Sequence, residues 1–409
     1  MKDFWRLTYF EYKKIFKRKS AVIGIIFVYV FSVITCILPI IGNHYVEGSA
    51  AESKYEAIKT DKAYAMAITG REIDTELILE MSEAYSHIPE GVENYSATKE
   101  YNTYARPYSE IYRLAKPAYY TAQSSFSVET ASNMTKEQAE SFYDARREAM
   151  ISDMKSTGAG QEELDFMLEK DSQVSKPVLF SYSDGYSSLA SFLYTAAVFL
   201  VFVISICLAP LFSGEYTSRT DQLLLTSKYG KSRLIAAKLF TGISFSVIFA
   251  VTVILIQAVI AFAIYGTEGF NAALQLIDIL CCYDFTLGQA IIIFMVILVI
   301  ACVYTASISM AMSAAMKSPF PVMIIMSLMN FVPMIINLKG NAPYLRVLHK
   351  ILVLFPIRMC NIWDPFSSFM YNVFGNFIEP YIFMPVFALI FSVLMLSIAY
   401  RKFKTRQIR

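Results

Sequence analysis

Hydrophobic residues are concentrated in six stretches that are each long enough to cross a lipid bilayer as a helix. The apolar core of a bilayer is about 30 Å thick and requires about 20 helical residues. The pattern predicts six spans, at residues 21–41, 189–212, 239–264, 288–316, 319–338 and 380–400. Basic residues precede the first stretch as in a signal peptide, but the apolar region of a signal peptide has only about 7 to 15 residues. We therefore expect the first stretch to be a retained membrane helix.

Polar segments of very different length separate these spans. They comprise an N-terminal segment at 1–20, a large insert at 42–188, a basic segment at 213–238, a loop at 265–287, a longer loop at 339–379 and a basic tail at 401–409. The insert is rich in helix-forming residues, and Asp74 or Thr75 offers a helix start upstream of Pro89. The pattern thus predicts an all-α polytopic membrane protein with a helical insert between its first two spans.

Charge is distributed unevenly over these segments. The chain is 56% hydrophobic and 17% charged, and its insert has 14 Lys/Arg against 25 Asp/Glu, a net charge of −11. Positive charge marks the cytoplasmic side of membrane proteins. Residues 1–20 carry seven Lys/Arg, and the segments 213–238 and 401–409 carry five each, whereas residues 265–287 carry none. We expect both termini to be cytoplasmic and the insert to be extracellular.

The loop at 339–379 contains an apolar run that resembles a seventh span until its charges are placed. Arg346, His349 and Lys350 have spacings that bring them to one face of a helix, and Pro356 ends the run. We expect a re-entrant or interfacial outer helix, which lies among the lipid headgroups or packs against protein.

Two residue types leave alternatives open outside the spans. The 14 tyrosines of the insert either line a site for an aromatic or peptide ligand, or they pack between helices or face solvent. Cys360 either pairs with Cys281 or Cys282, if their loops face an oxidising compartment, or these cysteines are free buried thiols. The three histidines show no spacing typical of a metal site.

The six apolar runs contain no Asp, Glu, Lys, Arg or His. Ionisable residues within a membrane typically mark proton relays and other functional sites, so their absence argues against a proton-coupled transporter and a membrane enzyme. Four amide side chains either join helices by hydrogen bonds or line a polar path, namely Gln257, Gln289, Asn330 and Asn337. Uphill transport by this chain would require energy from another chain.

The basic segment contains "YGKS", which resembles the end of a phosphate-binding loop. That loop requires a glycine at the position of Leu225 and a preceding strand, and the sequence offers neither. The segment instead predicts a short cytoplasmic helix with charge on one side and leucines on the other. Such a helix either docks into a groove of a soluble partner or only anchors the chain at the membrane surface.

The stretch "FSGEYTSRTDQLLLTSKYGKSRLIAAKLF", residues 212–240, resembles the coupling-helix region of ABC type-2 exporter permeases, especially those of Gram-positive bacteria. The matching residues are Glu215, Thr220, Leu223, Leu224, Leu225, Gly230, Arg233 and Lys238. Arg219 stands where the family often has a glycine. The basic, aromatic N-terminal segment at 1–20 is similar to the family's elbow helix, and the large insert is similar to an embellishment of some bacterial members.

The resemblance implies a non-catalytic permease subunit in a bacterial plasma membrane. A separate cytoplasmic ABC ATPase would bind ATP and Mg²⁺, so no cofactor is expected in this chain. Two permease chains, identical or homologous, would form the pathway among membrane lipids, and no nucleic acid is expected as a partner. Glu215 and Arg233 would position the coupling helix, with Leu223, Leu224 and Leu225 as its apolar contact.

The large insert favours an amphipathic peptide, antibiotic or drug as the exported substrate. Export of lipid, polysaccharide or sodium is an alternative. A further alternative is a signalling subunit that transmits ATP-driven motion to the insert without moving a substrate.

Overall fold

A computed structural model describes residues 2–120, 126–220, 232–336, 338, 340 and 342–405. The described chain is mostly helical and begins with α1 (Lys2–Lys17), an amphipathic helix that packs along the start of a membrane helix. Five helices of the described chain are long and apolar enough to cross a membrane. They are α2 (Lys19–Ile37), α10 (Asp184–Leu208), α12 (Arg233–Tyr265), α13 (Leu287–Ala315) and α17 (Pro380–Lys404).

A sixth apolar helix, α14 (Pro319–Ile335), has 17 residues, at the lower limit of what can cross a bilayer. Ser318 caps it and Pro319 occupies its first turn, where a missing N–H costs no internal hydrogen bond. The sequence predicts this span at 319–338, and Asn337 lies outside the described residues.

Helix α13 is the centre of the membrane body and contacts α10, α12 and α17. Small residues line it, including Ala301, Ala306 and Ser309, and they allow neighbouring backbones to approach closely. The Ser309 hydroxyl donates a hydrogen bond to the Ser205 carbonyl of α10 at 3.3 Å. Most other membrane helices expose apolar side chains on one face, as expected for contact with lipid or another chain.

The insert begins with a β-hairpin, which the helical composition did not predict. Strands β1 (Asn43–Val46) and β2 (Ser49–Ser53) are antiparallel, and Glu47 and Gly48 turn the chain with positive φ angles of 50° and 79°. The helices that follow are α3 (Lys54–Ile68), α4 (Thr75–Ser86), α5 (Ser109–Ala118), α6 (Val128–Ser132), α7 (Lys136–Glu140), α8 (Phe142–Ser156) and α9 (Gln161–Ser172). Asp74 caps α4 by accepting a hydrogen bond from the Leu77 amide at 2.9 Å.

Buried charges hold the insert on the loops of the membrane body. Arg146 is fully buried, pairs with Asp171 at 2.7 Å and donates to the carbonyls of Ile279 and Cys281 at 2.5 and 2.9 Å. We call this side of the molecule, residues 42–183 with the loops at 266–286 and 342–379, the insert face.

The second loop of the insert face contains α15 (Pro343–Val353), α16 (Pro356–Met359) and a hairpin of β3 (Tyr371–Val373) and β4 (Asn376–Ile378). Arg346 and Lys350 of α15 both reach Glu163 of the insert, each at 3.0 Å. The opposite face of α15 is apolar and exposed, and includes Tyr344 and Val347. The charged face of α15 thus packs against protein, which is one of the two positions predicted for this helix.

Ten of the 14 tyrosines of the insert are buried or partly buried, and four are exposed, namely Tyr45, Tyr55, Tyr104 and Tyr120. Tyr85 is 1% exposed and stacks on Tyr112 with a ring-centre distance of 4.6 Å, and Tyr101 and Tyr95 extend the cluster.

All six cysteines are free and buried. The alternative of a disulfide involving Cys360 is therefore absent from this structure.

Candidate functional site

The candidate coupling region lies on the side of the membrane body opposite the insert. Helix α10 continues after Ala209 into α11 (Pro210–Thr217), and α12 begins at Arg233. We call this side, formed by α1, α11 and the adjoining ends of α12, α13 and α17, the basic face. The predicted coupling residues Glu215, Thr220, Arg233 and Lys238 are described there, whereas Leu223, Leu224, Leu225 and Gly230 lie outside the described residues.

Four charged side chains from three helices meet at the basic face. Lys238 of α12 donates to Glu11 of α1 and to Glu215 of α11, both at 2.8 Å, and to the Leu211 carbonyl at 2.9 Å. Lys14 of α1 donates to the same two carboxylates, at 2.8 and 2.7 Å. We call Glu11, Lys14, Glu215 and Lys238 the base cluster.

The base cluster balances its own charge in a buried position. Lys238 is fully buried, Glu11 is 1% exposed and Glu215 is 8% exposed. A buried ion costs several kcal/mol unless opposite charges and hydrogen bonds compensate for lost water. The ammonium of Lys238 has three donors, and its three acceptors here match that number. Two carboxylates and two ammonium groups therefore form one neutral network.

Lys14 is the most accessible member of the cluster. Burial lowers the pKa of its ammonium, but the Glu11 and Glu215 carboxylates outweigh that effect and place the pKa above its usual value. Lys14 therefore stays charged throughout the physiological pH range.

Thr220 connects the base cluster to the segment that leaves α11. Its hydroxyl donates to the second carboxylate oxygen of Glu215 at 2.6 Å, and its amide donates to the Glu215 carbonyl at 3.0 Å. Arg219 has a φ of 56°, in the left-handed region that favours glycine. The resemblance noted above implies a glycine at this position, and Arg219 adopts the same region of φ although it has a side chain.

Helix α11 is also fixed to the end of α13. The Ser313 hydroxyl accepts hydrogen bonds from the amides of Phe212 and Ser213, both at 3.0 Å, and donates to the Ala209 carbonyl at 2.5 Å. Phe212 packs on Phe403 near the end of α17. Helices α11, α12, α13 and α17 thus converge where residues 221–231 are attached.

Arg233 lies at the edge of this region. It pairs with Asp3 of α1 at 3.1 Å, and about half of each side chain is exposed. Glu215 and Arg233 were both predicted to position the segment, and the structure places only Glu215 in the base cluster. Lys238 was predicted as the end of the basic segment, and it lies within α12.

Glu11 and Lys14 are members of the cluster that sequence reasoning missed. The signal was present, because Glu11 is an acid in a basic amphipathic helix and lies on the same helical face as the buried residues Thr8 and Ile15. A carboxylate on the buried face of such a helix requires a cationic partner.

Three of the four predicted polar residues of the spans lie in the described part of the chain, and no hydrogen bond joins any two of these three. Gln257 is fully buried and donates to the Phe192 carbonyl of α10 at 3.1 Å, so it joins two helices. Gln289 caps the start of α13 together with Thr286. Asn330 is 3% exposed, and within the described residues neither atom of its amide has a hydrogen-bond partner. A role of these residues in a pathway stays a prediction.

Comparison with protein families gives one match to this architecture. The model of the family described as ABC-2 family transporter protein matches residues 12–407. Comparisons with curated proteins and with solved structures found no match. The family match begins within α1 and extends beyond α17, so it includes three of the four members of the base cluster, namely Lys14, Glu215 and Lys238. Because the match covers nearly the whole chain, the protein belongs to the ABC-2 family of membrane transporter proteins.

Proposed function

We propose that this chain is the permease subunit of an ATP-binding-cassette exporter and is driven by a separate ATPase. Membership of the ABC-2 family implies association with ABC ATPase subunits. The chain itself is proposed to be non-catalytic, with ATP and Mg²⁺ bound by the partner. Two permease chains, identical or homologous, form the translocation pathway between them. The basic face is cytoplasmic and the insert face extracellular, in the plasma membrane of a bacterium.

The observation that supports this proposal most directly is the contact of Glu215 with both Lys14 and Lys238. These three residues lie on α11, α1 and α12, which surround the attachment points of residues 221–231. A force applied to that segment by a closing ATPase dimer would reach three helices through the contacts of one carboxylate. The base cluster would thereby convert motion of a soluble partner into motion of membrane helices.

The proposed substrate is an amphipathic peptide, an antibiotic or a drug. A soluble insert of this size suits the handling of a molecule near the outer leaflet, whereas a small ion would not require it. Lipid, polysaccharide and sodium are the alternative substrates.

A second candidate function is signalling by the insert without transport. Buried contacts of Arg146 and Glu163 connect the insert to the loops between membrane helices, so helix motion would also reach the insert. Reconstitution in proteoliposomes separates the two functions. Flux coupled to ATP hydrolysis supports export, and ligand-stimulated hydrolysis without flux supports signalling.

Co-purification in a mild detergent tests the coupling contact. The wild-type chain is expected to retain an ABC ATPase, and the double variant Glu215→Lys with Arg233→Glu is expected to lose it. The matched control is Arg71→Glu with Glu80→Lys, which reverses the charges of a partly exposed pair on the insert. This control is expected to leave the complex intact. A complex that survives in the Glu215 and Arg233 variant would contradict the assigned contact.

Two further variants separate coupling from folding. Exchange of the charges, by Glu215→Lys with Lys238→Glu, is expected to restore part of the association because a carboxylate and an ammonium group again face each other. Thr220→Val preserves the shape of the side chain but removes its hydrogen bond to Glu215. We expect Thr220→Val to fold normally and to lower transport-coupled ATP hydrolysis by severalfold.

A further inference from the structure

A cavity of about 840 Å³ lies between the insert and the membrane body, on the insert face. One wall is the end of the insert, residues 174–181, and the other is the loop at 267–286 with Gln289 at the start of α13. The volume is within the range of pockets that hold drug-sized molecules. The cavity has no role in the coupling proposed above.

Both walls are held by backbone hydrogen bonds. On the insert side, Phe180 and Val178 pair with residues 70–73, as in the 2.9 Å bond from the Gly70 amide to the Phe180 carbonyl. On the body side, the amides of Leu287 and Gly288 donate to the carbonyls of Ala272 and Phe270 at 2.8 and 2.9 Å. The cavity is therefore formed before any ligand enters, which lowers the entropic cost of binding.

Two large apolar side chains are exposed in the cavity lining. Leu179 is 57% exposed and Phe270 is 46% exposed, one from each wall. A Cβ atom at Gly288 would overlap the ring of Phe270, so the absence of a side chain there allows the ring to lie against α13. A ligand with an apolar or aromatic portion would cover surface that is otherwise in contact with water.

Among the described residues, a single ionisable residue lines the cavity, and it is an acid. Asp284 is exposed and makes no ion pair within the described residues. The loop at 265–287 contains no Lys or Arg, and the insert has a net charge of −11. The electrostatic environment therefore favours a cation over an anion.

Two cations adjoin lining residues of the cavity along the chain, and both are paired, Lys176 with Asp171 and Arg71 with Glu80. Glu268, which also adjoins the lining, is paired with Lys62. Asp284 is consequently available to an external positive charge.

We propose that this cavity binds cationic amphipathic molecules, with Asp284 facing the positive charge and Phe270 and Leu179 contacting the apolar portion. The proposal names a substrate class for the export function proposed above and rests on it for its biological role. The binding itself requires neither the ATPase nor ATP. The ligand is recognised by one charge and one apolar surface, so molecules of different covalent structure share the site.

Direct binding to the purified full-length chain in lipid nanodiscs tests the proposal. The probe is tetraphenylphosphonium, measured by equilibrium dialysis against empty nanodiscs, and tetraphenylborate is the anion of matching shape. We expect saturable binding of the cation and at least tenfold weaker binding of the anion. Asp284→Asn is expected to weaken cation binding about fivefold, as for one partly exposed charge contact.

Matched variants keep the test independent of folding. Asp284→Glu is expected to retain cation binding, and Asp165→Asn, an exposed carboxylate on α9 outside the cavity, is expected to leave it unchanged. Phe270→Ala is expected to weaken binding of both ions because it removes apolar contact. Each variant is compared with the wild type by its melting temperature. Absence of saturable cation binding, or equal cation affinity of the wild type and Asp284→Asn, would overturn the proposal.

The proposed binding cavity and the export function fail in different experiments. If tetraphenylphosphonium binds in an Asp284-dependent manner but no ATPase associates with the chain, the binding cavity stands and the export proposal is wrong. If an ATPase-driven flux of another substrate is unaffected by Asp284→Asn and the probe does not bind, export stands and the proposal for the cavity is wrong.

Discussion

The basic face and the insert face each contain a buried carboxylate held by two cations, but the two arrangements connect different kinds of structure. At the basic face, Glu215 forms ion pairs with Lys14 and Lys238, and Glu11 completes a neutral network of four charges. At the insert face, Glu163 forms ion pairs with Arg346 and Lys350, and these three residues together have one excess positive charge.

The additional carboxylate allows one cation of the base cluster to be fully buried. Lys238 is fully buried between two acids, whereas the side chain of Lys350 is 18% exposed beside one. A neutral network can be removed from water at lower cost than a charged one. Each cluster also has a more accessible cation, because the side chain of Lys14 at the basic face is 40% exposed. The two faces therefore differ mainly in what they connect: the base cluster joins helices of the membrane body to one another, and Glu163 joins the insert to a loop of that body.

The largest expected effect is loss of the cation at the centre of the base cluster. Lys238→Met leaves Glu11 and Glu215 buried with one half-exposed lysine between them, so we expect a loss of about 3 to 5 kcal/mol in the free energy of unfolding. The thermal unfolding midpoint in detergent measures it. Lys136→Met, in an exposed i,i+4 pair of the insert, is the control and should have no measurable effect. Equal midpoints for the two variants would mean that the base cluster does not stabilise the protein.

At the insert face, Glu163→Gln is expected to cost about 2 to 4 kcal/mol, because two partly buried cations lose their carboxylate. The Met370 amide also loses its charged acceptor. Hydrogen exchange of residues 343–353 and of Met370 should accelerate while α12 stays protected. Glu162→Gln, at an exposed neighbouring position on α9, is the control. Acceleration confined to α12 would contradict the separate roles of the two faces.

Acid should weaken the same contact. Burial raises the pKa of the Glu163 carboxyl, but hydrogen bonds and charge from Arg346, the Met370 amide and Lys350 place it below its usual value. A carboxyl group whose pKa is lower in the folded than in the unfolded state stabilises the folded protein at pH values above its unfolded pKa. That stabilisation is lost as the pH falls through the folded pKa. This loss begins below about pH 4.3.

His349 extends the acid sensitivity of the insert face to milder pH. Burial, with the nearby charges of Arg358, Arg346 and Lys350, lowers its pKa to about 4. An unfolded histidine binds a proton below about pH 6.5 while the native one stays neutral, so stability falls as the pH drops from 6.5 towards 4. Since the ring is partly exposed, we expect an effect of about 1 kcal/mol at pH 5.

Melting midpoints at pH 7.5 and pH 5.0 measure this effect. His349→Gln should show a smaller acid-induced decrease than the wild type, and His87→Gln, at an exposed position of the insert, should match the wild type. The same decrease in all three proteins would exclude His349 as its source.

The sequence predicted the membrane helices because hydropathy acts over each helix locally. The resemblance to exporter permeases also singled out Glu215 and Lys238, which the structure places in contact, but their partners Glu11 and Lys14 belong to a helix more than 190 residues away. Which helices meet is decided by packing in three dimensions, and no local pattern contains that information. Arg146 shows the same limit at the insert face, because its acceptors at Ile279 and Cys281 are backbone carbonyls, which every residue possesses.

The hairpin at the start of the insert was missed for a different reason. Its strands have four and five residues, and they lie beside a long run of helix-forming sequence. Short strands of this kind carry little periodic signal. The turn at Glu47 and Gly48 was readable in principle, since Gly48 has a positive φ that favours glycine.

The smallest expected effect concerns Arg233, which sequence reasoning ranked with Glu215. Its pair with Asp3 is about half exposed on both sides, so water and salt screen the attraction. Asp3→Asn should therefore change the free energy of unfolding by less than about 0.5 kcal/mol. It should also leave the ATPase complex intact, because the other contacts of Arg233 are unchanged. A melting midpoint as low as that of Lys238→Met would place the Asp3 pair within the structural core of the basic face, and the contrast between edge and centre would then be wrong.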